Sequence, residues 1–304
     1  MLTLLEAAKL VQDPLKRGVI EIFPRVSPVL ERLPFFEVAG QAYKYNIEET
    51  LPGIAFRGIN ETYTSSTGCV NPQVEAMYIL GGLSKVDRAL VKTQGNINNL
   101  RATYDSMKAK SVALEYTKKF FKGDNESNAN EFDGLEKRLT GNQVVDLGSS
   151  DGGDTLTLAK LDEMMDQVQG SPDVLFMNKT MRRKVNALMR SSSSTIEMMS
   201  DSLGRQIPSY AGVPIAVVEQ DKDGADILAF DEPDLDDGDQ EVCTSIYAVR
   251  FGLAEYVSGL QSGSIDVIDQ GLQGTFYQTL VEFICGLGCF HPKCAARLRG
   301  IKNA

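Results

Sequence analysis

Residues 96–122 read NINNLRATYDSMKAKSVALEYTKKFFK, 27 residues without Pro or Gly, bounded by Gly95 and Gly123. Ile97, Leu100, Tyr104, Met107, Leu114 and Phe121 recur at i, i+3/i+4, i+7 spacing, which predicts an amphipathic helix with one apolar face. Ser111 and Lys118 interrupt that ladder, so the helix is expected to lie on a sheet and not in a tight coiled-coil seam. Lys118, Lys119 and Lys122 gather in the last turns, where positive charge complements the helix macrodipole, and Gly123 supplies a stop. At ~1.5 Å per residue the helix is about 40 Å long, roughly twice an ordinary globular helix. A helix of that length is a spine across which other segments are laid.

Working outward, Tyr43, Tyr45 and Ile47 alternate with Lys44, Asn46 and Glu48, the period-two pattern of a half-exposed strand. A second alternating run, 74–91, is expected to return antiparallel to it. Between them, Pro52-Gly53 and TYTSSTG at 62–68 hold little that builds a core. A long two-stranded excursion is marginal alone in water, so its expected support is a neighbouring subunit. Residues 1–36 read as short helices broken at Asp13-Pro14 and Ser27-Pro28, each an N-cap residue followed by Pro, with Thr3-x-x-Glu6 as a capping box. Such a segment is an arm that lies on something else.

Downstream, a loop-rich junction places a boundary near 149–154. Residues 156–168 predict a helix opened by Thr157, 173–176 a short buried strand, and 179–190 a second helix. Residues 212–218 and 227–230 are strand-like, with Asp223-Gly224 as the turn between them. This alternation makes 150–270 a compact α/β or α+β lobe. Residues 276–290 form a last strand, expected to pair back with the spine region.

The 304 residues suffice for one large or two ordinary domains, and 42% hydrophobic with 24% charged residues is a globular composition. No signal peptide and no apolar stretch of membrane-spanning length is present, so no membrane partner is expected. Five cysteines without framework spacing read as reduced thiols. The net charge is −10, and residues 150–270 hold 22 acidic against 9 basic residues. That balance argues against a protein that grips nucleic acid through phosphate contacts.

Motifs for chemistry are sparse. Cys285, Cys289, His291 and Cys294 offer zinc-type ligands, but the spacing matches no common knuckle. On a strand, Cys285 and Cys289 stand about 13 Å apart, too far for one metal. They read as small buried hydrophobes. The acidic run DEPDLDDGDQE (231–241) fails the EF-hand pattern and reads as a solvated loop. No glycine-rich phosphate loop is present, and one histidine leaves little for a catalytic triad. Glu282, inside TLVEFICG, is expected to be buried and paired with an Arg or Lys. No catalytic, cofactor-binding or metal residue is assigned.

The order of segments DPLKRGVIE, SPVLERLPF, YKYNIEETLPGIAFRGINE (43–61), EFDGLEKRLTGNQVVDLG (131–148), TLAKLDEMMDQV, LFMNKTMRRKVNAL (175–188), SLGRQIPSYAGVPIAV, TSIYAVRFG (244–252) and the closing FHPKCAARLRGI resembles the major capsid proteins of tailed double-stranded DNA bacteriophages. The resemblance spans nearly the whole chain. It implies an α+β capsid fold: an N-terminal arm at 1–36, an extended β-hairpin E-loop at 37–80, and a peripheral domain at 81–148 with its spine helix at 96–122. An axial domain at 149–270 and a return to the peripheral domain at 271–304 complete it.

The implied function is structural: pentamers and hexamers of one chain close an icosahedral shell around packaged DNA, without sequence-specific binding. Implied partners are further copies of the chain, a separate scaffolding protein, a portal and a decoration protein. The implied place is the virion capsid, assembled in the bacterial host cytoplasm. Glu48, Glu49 and Arg57 on the E-loop are the expected intersubunit ion-pairing residues. Lys44 is a nearby lysine, but a Lys–Asn crosslinking pair of the kind some relatives use is not matched. An encapsulin-type nanocompartment shares the fold and is the nearest alternative; a soluble α/β enzyme is the alternative of a different class.

Overall fold

The computed structural model describes residues 26–93, 97–148, 150–191, 197–200, 206–236 and 240–303, with the side chains of residues 48, 49, 93, 97–100, 197, 198, 200 and 241 outside that set. The helices expected within residues 1–25 therefore lie outside the described residues. The strands are β1 (Phe35–Glu37), β2 (Ala42–Thr50), β3 (Cys69–Ala76), β4 (Tyr78–Asp87), β5 (Val144–Asp146), β6 (Val174–Met177), β7 (Glu197–Ser200) and β8 (Gln206–Tyr210). They continue with β9 (Val213–Val217), β10 (Glu232–Pro233), β11 (Glu241–Val249), β12 (Val257–Gln261), β13 (Asp266–Gln273), β14 (Phe276–Cys289) and β15 (Ala295–Lys302). The helices are α1 (Arg88–Thr93), α2 (Ile97–Lys122), α3 (Leu135–Arg138), α4 (Leu158–Asp166) and α5 (Lys179–Ser191).

The spine helix α2 packs on a sheet whose long strand is β14, paired antiparallel with β4, β12 and β13, while β1 pairs parallel with β12. The face it buries coincides with the ladder of large apolar residues only in part: Phe121 is buried. Tyr104 and Met107 are exposed, whereas Asp105, Ala109, Val112, Ala113, Tyr116, Thr117, Phe120 and Phe121 are buried. Alanines at 109 and 113 and the large rings of Tyr116, Phe120 and Phe121 make up the contact, while Tyr104 and Met107 face solvent. Lys118 breaks the apolar ladder because it reaches Asp221 at 2.8 Å, and the Ser111 hydroxyl donates to the Met107 carbonyl at 3.0 Å.

Gly123 ends the helix through close packing and not through a left-handed cap. A Cβ there would stand 2.2 Å from the Phe132 carbonyl oxygen, and the Gly134 N–H donates to the Gly123 carbonyl at 2.9 Å. Ser27 caps a single turn, its hydroxyl accepting from the Val29 N–H at 3.2 Å.

The second sheet runs β5-β15-β11-β6-β9-β8-β7, with β10 on β11. Strand β6 is buried at all four positions, as befits a strand covered on both faces. Val174 and Phe176 join Tyr247 and the spine aromatics Phe120 and Phe121 in one core. Leu175 and Met177 face the other way, into a second core with α4 and α5. The sheet is therefore the wall between two cores. Thr157 caps α4 by accepting from the Lys160 N–H at 3.4 Å.

Three expectations change. The run 74–91 is two strands and the start of a helix: β3 pairs with β2, after Met77 the chain crosses to pair β4 with β14, and from Arg88 it is α1. Residues 227–230 form no strand; the turn at Asp223-Gly224, with Gly224 at φ 84°, closes only on a bridge from Gln220 to Asp226. Glu282 is half-buried, and none of the ion pairs among the described residues involves it. Its neighbours across the sheet are Gly81 and Asp266, which offer no cation.

Candidate assembly surfaces

The β2–β3 hairpin leaves the body at an aromatic and ionic base. Tyr43 and Tyr45 stack at 6.1 Å, and both meet the edge of Phe290, at 5.8 and 4.6 Å. The single proton of the Tyr45 hydroxyl is shared between Glu75 Oε1 and the Cys289 carbonyl, each at 3.2 Å. Burial, and then the Glu75 carboxylate, push the Tyr45 phenol well above its ordinary pKa, so it remains a donor. Arg138 from α3 completes the base with two hydrogen bonds to Glu75, the bidentate geometry only a guanidinium provides. The alternation Tyr43/Tyr45 therefore marks the face that docks on the body.

Beyond the base the hairpin projects without support from its own chain. Leu51, Ile54, Phe56 and Ile59 are 77%, 97%, 107% and 94% exposed, and Tyr63 and Val70 are also open. Contiguous exposed apolar surface of this kind marks an interaction site. The tip is nonetheless shaped. Arg57 donates to the Glu61 carbonyl at 2.9 Å and lies over the Tyr63 ring at 5.4 Å, while the Gly58 N–H donates to Glu61 Oε2 at 2.7 Å. Arg57 thus stiffens the loop that carries it. Glu48 and Glu49 lie on β2, on the way to the tip, with their side chains outside the described residues. Ile54 and Phe56 carry the larger apolar signal, legible as hydrophobic residues between turn signals with nothing of their own to cover them.

The Cys/His cluster does not converge. Cys285 is buried, and burial alone raises its thiol pKa. The Cys294 thiol donates to Cys289, which holds Cys289 below and Cys294 well above the usual thiol value. His291 accepts from the Lys293 N–H at 3.0 Å. Among the described residues no three His, Cys, Asp or Glu side chains come together as metal ligands.

The acidic run 231–241 is not simply a solvated loop. Glu232 and Asp234 are 4% exposed each, and Glu232 forms β10 on β11. Arg297 donates to Glu232 at 2.8 Å, to Glu136 at 2.9 Å and to Ser245 at 2.9 Å, tying the C-terminal strand to this run and to α3. Burial raises the Glu232 pKa, and the facing guanidinium opposes that rise. Composition could not reveal this pair, because its partner lies 65 residues away.

These surfaces belong to a fold seen before. Residues 13–158 match the family model of major capsid protein GP7. A search of curated proteins gives no match. The fold is similar to the holo-SrpI encapsulin complex from Synechococcus elongatus PCC 7942, with a TM-score of 0.68 and 16% identity over 92% of this chain and 89% of that one. It is similar to the capsid of the native GTA particle, with a TM-score of 0.61 and 14% identity over 91% and 90%. It is likewise similar to a structure from Mycobacterium phage Bobi, with a TM-score of 0.61 and 13% identity over 98% of each chain. Identities this low establish fold and not detailed function. The chain therefore carries the capsid fold shared by these phage and encapsulin structures, and its residues 13–158 match the model of major capsid protein GP7.

Proposed function

We propose that this capsid protein assembles as pentamers and hexamers into an icosahedral shell that encloses phage double-stranded DNA. The observation that carries the reading is the β2–β3 hairpin: a rigid base, a shaped tip, and apolar residues at the tip that their own chain leaves uncovered. A second copy of the chain is the economical cover, because a heterologous contact repeated around an axis satisfies every tip at once. In this reading 37–80 is the E-loop, 81–148 with 271–304 the peripheral domain, and 149–270 the axial domain. Glu48, Glu49 and Arg57 add ion pairs beside the apolar contact. A separate scaffolding protein, a portal and a decoration protein complete the particle, which forms in the bacterial cytoplasm.

The similarity to an encapsulin favours one further reading, a nanocompartment that holds protein cargo. Nuclease-treated particles from cells expressing the neighbouring genes separate the two. The DNA reading expects protected double-stranded DNA; protein cargo with no protected DNA would replace it.

A further inference from the structure

Of the nine basic residues between 150 and 270, five sit on the thirteen-residue helix α5: Lys179, Arg182, Arg183, Lys184 and Arg190. Its buried stripe Met181, Val185 and Met189 fixes its orientation on the sheet. Arg183 and Arg190 are therefore exposed, and with Lys179, Arg182 and Asn186 they line an open groove of about 460 Å³ beside Pro208. Lys179 pairs with Glu219 at 2.9 Å, and Lys184 donates to the Lys302 carbonyl at 3.0 Å. Arg190 donates to the Asn186 carbonyl of its own helix at 3.1 Å. Among the described residues, Arg182, Arg183 and Arg190 have no carboxylate partner. Lys179 and Arg182 also lie at the positive end of the helix dipole, whose first turn holds no acid.

Helix α4 is the inverse. Leu161 and Met164 bury its inner face in the same core layer as α5, and Asp162, Glu163 and Asp166 are exposed. Glu163 meets Lys160 at 2.9 Å, and Asp162 accepts from the Tyr210 hydroxyl at 2.7 Å. Asp166 ends the helix, and no basic residue stands in that last turn. Negative charge there opposes the dipole just as the cations at the start of α5 do. One lobe thus carries two charged helix faces, each unfavourable at its own helix end, each the complement of the other, and not paired with each other within the chain.

We propose that the α5 face of one copy docks against the α4 face of the next copy, pairing Arg182, Arg183 and Arg190 with Glu163, Asp166 and Asp162. A contact of this kind is heterologous, so it repeats around a ring. It also sets partner choice and register, the role charge complementarity fills at interfaces. Nucleic acid is the other polyanion that arginines suit. The 22 acidic residues of this lobe repel phosphate, whereas carboxylates of a neighbouring copy neutralise the arginines pair by pair.

The inference rests on the shell reading, and one experiment separates them. Full-length wild type, Arg182→Glu/Arg183→Glu, Glu163→Lys/Asp166→Lys and the combination of all four are checked for folding by circular dichroism. Each is then followed by sedimentation velocity and electron microscopy. Wild type is expected to form rings or shells, and each reversal pair to lower the assembled fraction about tenfold or more; the combination should restore it to within about threefold. Should a reversal pair fail to fold, Arg182→Gln/Arg183→Gln takes its place and is expected to weaken assembly and flatten its salt dependence. Folded reversal variants that assemble like wild type overturn the docking while leaving the shell intact. So does a folded combination that restores nothing. Arginine variants that form normal shells but lose protected DNA overturn it too, and assign the helix to nucleic acid. A wild type that never assembles removes the shell reading and the docking together.

Discussion

The Arg138 guanidinium holds both oxygens of the Glu75 carboxylate, at 2.5 and 2.7 Å, across 63 residues of sequence. That clamp joins α3 on the body to β3 on the hairpin. The two side chains are 16% and 14% exposed, so the pair is largely desolvated. Replacing Arg138 with Met strands the Glu75 charge beside Tyr45 and Cys289. The expected cost is about 3 kcal/mol in urea unfolding, the lower part of the range for breaking a buried pair. Arg138→Lys recovers only part of it, since an ammonium cannot bind bidentately. A hairpin so loosened is cut faster by trypsin between residues 51 and 66.

Asp105 gives a pH prediction. It is buried on the spine helix, and neither carboxylate oxygen has a hydrogen bond of good geometry, although the Ser84 and Thr279 hydroxyls stand near. Burial raises its pKa, only partly countered by the Ser84 and Thr279 hydroxyls and by Arg101. The folded state therefore binds this proton more readily than the unfolded chain does. Its ionisation opposes folding as pH rises past the ordinary aspartate value, and the full penalty stands above the raised one. Asp105→Asn is expected to raise Tm at pH 7, with the gain shrinking to nothing as pH falls below the usual carboxylate range. Thermal melts of both proteins from pH 3 to pH 8 check the sign.

Phe121 couples the two sheets. It is wholly buried, 5.5 Å from the Phe176 ring and 5.1 Å from Tyr247, so it carries the spine into the second sheet. Phe121→Ala is expected to cost about 3–5 kcal/mol, through lost burial plus the cavity left behind. Phe56→Ala removes the same side chain from a fully exposed site and is expected to change monomer stability by less than about 0.5 kcal/mol. Denaturant titration of the two variants side by side gives the contrast.

Much of this fold was legible in the sequence for reasons that can be named. An uninterrupted run without Pro or Gly gave the spine, and Tyr43/Tyr45/Ile47 gave the projecting strand. Thr157 announced α4, and residues 179–190 announced α5 through an apolar stripe among cations. The buried face of the spine was legible at Phe121 but not in the helix middle, where Tyr104 and Met107 outweighed the buried Ala109 and Ala113 in the pattern. The crossing at Met77 was hidden because alternation continues on both sides of it, and period two does not say which partner a strand takes. The Glu232–Arg297 pair was hidden because long-range pairing leaves no local trace. Arg57 was legible as a cation on the hairpin but not as a brace for Tyr63 and Glu61, which only the folded loop displays.

The central claim is that the uncovered tip of the hairpin finds its cover on other copies of the chain. Negative-stain electron microscopy of the purified full-length protein, beside Ile54→Ser/Phe56→Ser, tests it most directly. The account predicts closed shells or rings of five and six for the wild type, and folded but unassembled protein for the tip variant. Monodisperse monomer or dimer for the wild type under every condition, or normal shells from the tip variant, would contradict it.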